Sequence, residues 1–137
     1  MDAEAQIEQA NALHSIAALI NEELERSGPE DWDSGILVLR SREDEEVDGW
    51  ASVVWNADAE PGRMRLDLDT QPTLSAYRAA TVAGAEQRWV TCLIEFHRSG
   101  KIRTRFEYED LDRWSNGPDE PVQEYVARMR PQFDIPA

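Results

Sequence analysis

The sequence predicts an α+β domain, an antiparallel sheet of about five strands packed against helices, in the order α-β-β-β-α-β-β-α. Three observations carry that expectation. Apolar residues recur at three- and four-residue spacing near both ends of the chain. Short segments rich in β-branched and aromatic residues lie between them. Polar turns containing Gly49 and Gly100 join neighbouring segments as hairpins would. At 137 residues the chain suits one core, so 1–137 is read as a single domain. Apolar side chains make up 41 % of it, enough with its glycines to bury a core, which argues against wholesale disorder.

The first helix is expected over Ala3 to Arg26, where Ile7, Ala10, Leu13, Ile16, Ala17, Ile20 and Leu24 form one stripe and Glu4, Glu8, Glu22 and Glu25 fall largely outside it. Ser27–Gly28–Pro29 ends it, because glycine accepts a left-handed turn and proline cannot extend the ladder. Ile36–Arg40 and Trp50–Trp55 read as an antiparallel pair around the acidic turn Arg42–Gly49. Alternation of Met64, Leu66 and Leu68 with Arg65, Asp67 and Asp69 marks a third strand with one wet face. Pro72 suits a helix's first turn, and Leu74, Tyr77, Ala80 and Thr81 give that helix a weak apolar face up to Gly84. A second hairpin runs from Trp89–Phe96 through Arg98–Lys101 into Ile102–Tyr108, with Ile102, Thr104, Phe106 and Tyr108 on one face and Arg103, Arg105 and Glu107 on the other. Ser115–Pro118 then breaks the chain, and Val122, Tyr125, Val126 and Met129 define a short final helix stopped by Pro131.

Bulk chemistry narrows the function. With 28 acidic against 14 basic residues the net charge is −14, which repels phosphate backbones and anionic lipid, so no nucleic-acid or membrane partner is expected. The apolar runs fall far short of the roughly 20 residues of a membrane span. The acidic N-terminus does not read as a secretory leader, and the expected compartment is the cytoplasm. The lone Cys92 can form no internal disulfide and belongs to no zinc-binding pair.

Catalytic readings are weak. Cys92 alternates with Val90, Ile94 and Phe96 on a face taken as buried, where a thiol is an inert packing group. His14 lies at the margin of the first apolar stripe, and His97 shares a strand face with Glu95, so a Glu–His pair is geometrically open. Glu107, Glu109, Asp110 and Asp112 could be imagined as paired acids, but carboxylates this dense in a polar stretch are normally solvated. A calcium loop beginning at Asp112 would place Trp114 and Gln123 where ligands belong, and Gly100–Lys101 lacks the upstream glycine of a phosphate loop. No cofactor, no metal and no catalytic residue is expected.

A binding surface remains. Asp31–Trp32–Asp33 and Asp112–Arg113–Trp114 each set a tryptophan among charges, a combination found at interface centres, although tryptophans in a small domain more often belong to the core. Glu109, Asp110, Asp112 and Trp114 form the first-choice patch. The acidic turn Glu43, Asp44, Glu45 and Glu46 comes second, with a solvated turn as its plain alternative.

The stretch from Trp89 to Asp110 carries an apolar strand, Cys92–Leu93–Ile94–Glu95–Phe96, a turn Ser99–Gly100–Lys101, and the ending Phe106–Glu107–Tyr108–Glu109–Asp110. In this it resembles the C-terminal half of the YezG-type antitoxin and immunity proteins of bacterial polymorphic toxin systems. The N-terminal helix, the early strand pair and the central helix fit that family's layout, whereas the Gly117–Pro118 break and the final helix do not match it closely. The resemblance implies a non-enzymatic inhibitor that binds one cognate protein toxin, and the chain is separately expected to be monomeric when free. Acidic groups would meet a basic active-site cleft and a Trp or Tyr would plug it, blocking nuclease, NAD-consuming or ADP-ribosylating chemistry. Two alternatives stand beside it, a non-inhibitory adaptor or secretion chaperone for a basic client, and a small carboxylate-dependent hydrolase.

Overall fold

The computed structural model describes residues 3–27, 31–41, 47, 49–56, 61–62, 70–82 and 88–133. Its elements are α1 (Ala3–Ser27), β1 (Trp32–Arg40), β2 (Gly49–Asn56), β3 (Pro61–Gly62), α2 (Gln71–Val82), β4 (Thr91–His97), β5 (Ile102–Glu107) and α3 (Val122–Met129). The α+β class is the expected one. The sheet has four full strands and a two-residue edge strand, in the order β3-β2-β1-β4-β5, with every pairing antiparallel. The third strand expected at Met64–Leu68 and the acidic turn Glu43–Glu46 both lie outside the described residues.

β1 sits at the centre because it is buried on both sides, and its run Ile36–Leu37–Val38–Leu39 supplies apolar groups to two cores at once. Leu37 and Leu39 join Val54, Cys92, Ile94 and Phe96 beneath α1 and α2, where Ile16, Ile20, Leu24, Leu74 and Tyr77 close over them. Ile36 and Val38 face the other way, with Trp55 and Leu93, and are covered by α3 through Tyr125 and Met129 together with Trp114. The result is a sheet sandwiched between two layers, one built from α1 and α2 and the other from α3 and the segment before it.

Local chemistry explains where the elements begin and end. The stripe of α1 is buried only from Ile16 onward, and Ile7 is 60 % exposed, so the first turns of the helix extend past the core. β1 starts four residues before the expected Ile36, because Gly35 lies against the Phe96 ring of β4, too close for a Cβ to fit. Its pairing with β2 skips Asp33, a bulge that frees that residue from the ladder. In the β4–β5 turn Gly100 takes φ +96°, which L side chains rarely adopt, and its N–H donates to the His97 carbonyl at 3.0 Å. α2 is fastened to Val47 and to the segment entering β4: Val47 N–H donates to Ser75 Oγ at 3.1 Å, Gln71 donates to the Val47 carbonyl at 3.0 Å, and Arg78 donates to the Trp89 carbonyl with its guanidinium over the Trp89 ring. Among the described residues no helix is long and apolar enough to cross a membrane.

Candidate functional site

The segment leaving β5 is built around one carboxylate. Glu107 Oε2 accepts the backbone N–H groups of Tyr108, Glu109 and Asp110 at 3.2, 3.0 and 3.2 Å, and its Oε1 accepts Arg113 Nη1 at 2.8 Å. These donors satisfy the ionised form, chiefly the Glu109 and Asp110 amides and then Arg113, and they hold the Glu107 pKa down at about 2. The loop is fixed further along its length. Asp110 Oδ1 accepts the Asp112 N–H at 3.1 Å, and Asp112 Oδ1 meets Arg40 Nη2 at the end of β1 at 2.7 Å.

Trp114 closes the loop and is not on the surface. It is 4 % exposed, packs with Leu93, Tyr125 and Met129, and lies with Arg113 and Arg105 over its ring at 5.1 and 5.8 Å. Its carbonyl accepts the Tyr125 hydroxyl at 2.6 Å, and Arg128 ties Glu120 and the Ser115 carbonyl to α3. The expectation of Trp114 as an interface anchor is therefore corrected: an indole filling the second core cannot enter a partner's cleft. Tyr108 takes the exposed position instead, with 43 % of its surface in solvent, beside the exposed Glu109 and Asp110. Of the first-choice patch, Glu109, Asp110 and Asp112 are brought together on one loop, and Asp112 is already engaged by Arg40.

Trp32 belongs elsewhere. It lies at the start of β1, half-buried, edge-on to Phe96 at 6.0 Å with Arg98 over its ring at 5.5 Å. β1 places it roughly 26 Å from Arg40 and the acidic loop, so the two tryptophan-and-acid motifs do not form one patch. At that end the Glu95–His97 pairing is also corrected. Cross-strand register puts Glu95 opposite Arg103, which it binds at 2.7 Å, while His97 Nε2 reaches Asp33 Oδ1 at 3.3 Å and Nδ1 accepts the Ser99 N–H at 3.0 Å. Arg130 takes the other Asp33 oxygen at 3.3 Å, and Phe133 packs against both His97 and Arg103. His14 is exposed on α1.

Neither Glu107 nor Cys92 is tuned for acid–base or nucleophilic work at neutral pH. A general acid needs a carboxyl raised toward neutrality, whereas Glu107 is displaced in the opposite direction. Burial pushes the Cys92 thiol far up against a small opposing pull from Arg78, so almost none of it is thiolate at neutral pH. Among the described residues no three His, Cys, Asp or Glu side chains gather closely enough to hold a metal ion. What the loop can do is present an aromatic ring and two carboxylates in a fixed geometry.

Neither the protein-family models nor the curated proteins contain a match to this chain.

Proposed function

We propose that this chain is an immunity protein that neutralises a cognate secreted toxin by docking the loop Tyr108–Asp112 over a basic active-site cleft. One observation carries the reading: a half-exposed tyrosine stands between acidic side chains on a loop whose backbone Glu107 has already ordered. Ordering before contact reduces the entropy lost on association. A ring flanked by charge combines the two components of a tight, fast interface, an aromatic anchor and electrostatic steering. The net charge of −14 extends the steering field beyond the loop. In this reading the protein is monomeric when free and acts in the cytoplasm.

The test is co-purification of the tagged chain with the product of the reading frame upstream of its gene, followed by co-expression. Toxicity of that product alone, rescue by this chain and a stable complex support the reading. Absence of both complex and rescue overturns it, and a client that stays active while bound makes the chain an adaptor. Within a complex, Tyr108→Ala is expected to weaken affinity by about 2 kcal/mol, roughly 30-fold. Glu109→Lys with Asp110→Lys is expected to slow association and flatten its salt dependence.

A further inference from the structure

We propose that Asn116–Gly117 is a self-modifying site, at which the chain cyclises to a succinimide and opens to aspartate or isoaspartate, with Glu120 as the proton acceptor. The chain has four asparagines, and this is the one followed by glycine. Asn11 and Asn21 are fixed in α1 and precede Ala12 and Glu22, while Asn56 ends β2. Asn116 is exposed and belongs to neither helix nor strand, lying between the turn that carries Trp114 and the turn before α3. Its side chain is therefore free of a ladder that would hold it from its own backbone.

The neighbouring groups suit the reaction. Ring closure requires the Gly117 nitrogen to attack the Asn116 side-chain carbonyl carbon, and a side chain on the attacking residue hinders that approach. The Gly117 N–H points at Glu120 Oε1, 3.5 Å away. Arg128 binds the same carboxylate at 2.6 and 2.9 Å and keeps it ionised, so an acceptor oxygen with no proton of its own faces the proton that must leave. In the first step the Gly117 N–Asn116 Cγ bond forms, the Cγ–Nδ2 bond breaks, and the Gly117 proton, relayed by Glu120, departs with the side-chain nitrogen as ammonia. Water then opens either carbonyl of the ring, giving aspartate by one cleavage and isoaspartate by the other. Each product adds one negative charge beside Asp119 and Glu120, and the isoaspartate adds a methylene to the backbone joining Trp114 to α3.

The experiment is incubation of the folded full-length protein at neutral pH, with intact mass and peptide mapping over time. The mass gain of amide-to-acid conversion is expected in the peptide holding Asn116, with isoaspartate detected there by an isoaspartyl methyltransferase, and is expected to be lost in Asn116→Gln. Gly117→Ala, whose Cβ would meet only Glu120 Cβ at 3.9 Å, is expected to fold normally and to react more slowly. Two further variants isolate the base, since each breaks the ion pair and only one removes the carboxylate: Glu120→Gln should slow the conversion and Arg128→Gln should not. A folded chain that stays unmodified while the urea-unfolded chain converts overturns the proposal. So does conversion that is equal at all four asparagines, or a Glu120→Gln variant as fast as the parent.

Discussion

Trp114→Ala separates a core tryptophan from an interface tryptophan, and its cost follows from the structure. A buried indole removes roughly 150–250 Å² from water, which at about 25 cal/mol per Å² is about 4–6 kcal/mol of transfer free energy. That is an upper figure, because the unfolded chain already shields part of the ring. With partial collapse of Leu93, Tyr125 and Met129 into the space, the expected loss is about 3–5 kcal/mol, a large share of the roughly 5–15 kcal/mol that holds a domain together. The assay is urea denaturation followed by far-ultraviolet circular dichroism, so that the signal does not depend on the deleted fluorophore. The midpoint should fall with the slope unchanged. A companion variant, Tyr125→Phe, leaves the Trp114 carbonyl without its 2.6 Å donor and should cost about 1–3 kcal/mol. The two residues share one cluster, so their losses should not add. A Trp114→Ala loss below about 0.5 kcal/mol, typical of surface substitutions, would refute the assignment of this ring to the second core.

Other consequences follow from the same geometry. Gly35→Ala should destabilise by about 1–3 kcal/mol, because the new methyl would collide with the Phe96 ring and lie 3.0 Å from the Val53 carbonyl oxygen; in a Phe96→Ala background, itself less stable, the same substitution should cost less in the same denaturation assay. Glu107 has its pKa lowered from 4.5 to about 2 on folding, so its stabilisation is complete above pH 4.5 and disappears as pH falls through about 2. Urea midpoints measured against pH should therefore show Glu107→Gln less stable than the parent at neutral pH and the two converging in strong acid. Cys92 is buried with its thiol pKa raised, so a thiol reagent at neutral pH should label it slowly in the native protein and fully in denaturant, and rapid native labelling would contradict its packing.

Some of the fold was legible because it is local. Val122, Tyr125, Val126 and Met129 mark one stripe of α3, and the Gly100 turn between two β-rich runs marks the β4–β5 hairpin. The limits of the other elements depend on neighbours far along the chain. Periodicity identifies the inward face of α1 but not how far the core extends beneath it, which is why Ile7 belongs to the stripe and still faces solvent. Asp33–Ser34–Gly35 has little strand character by composition, yet it is strand because Gly35 admits the Phe96 ring and Arg98 N–H donates to the Asp33 carbonyl at 2.9 Å. The second hydrophobic layer was hidden for the same reason. Trp114 looks exposed among Asp112 and Arg113 until α3 folds back across the sheet.

The loop shows how a single side chain can overrule alternation. Continued past Glu107, the period of two assigns Tyr108 to the same apolar face as Ile102, Thr104 and Phe106. Glu107 instead captures the next three backbone N–H groups, donors that an extended strand would direct alternately to either side. The strand therefore ends at Glu107, and Tyr108 leaves the core face for solvent. The same carboxylate that stops the strand thus exposes the ring and orders the acids beside it. Removing the charge while keeping the shape, as Glu107→Gln does, should loosen the loop without disturbing either core. In a complex formed through this loop the variant should lose affinity mainly through faster dissociation, because the long-range field from Glu109, Asp110 and Asp112 would be largely preserved while the ordering before contact would not.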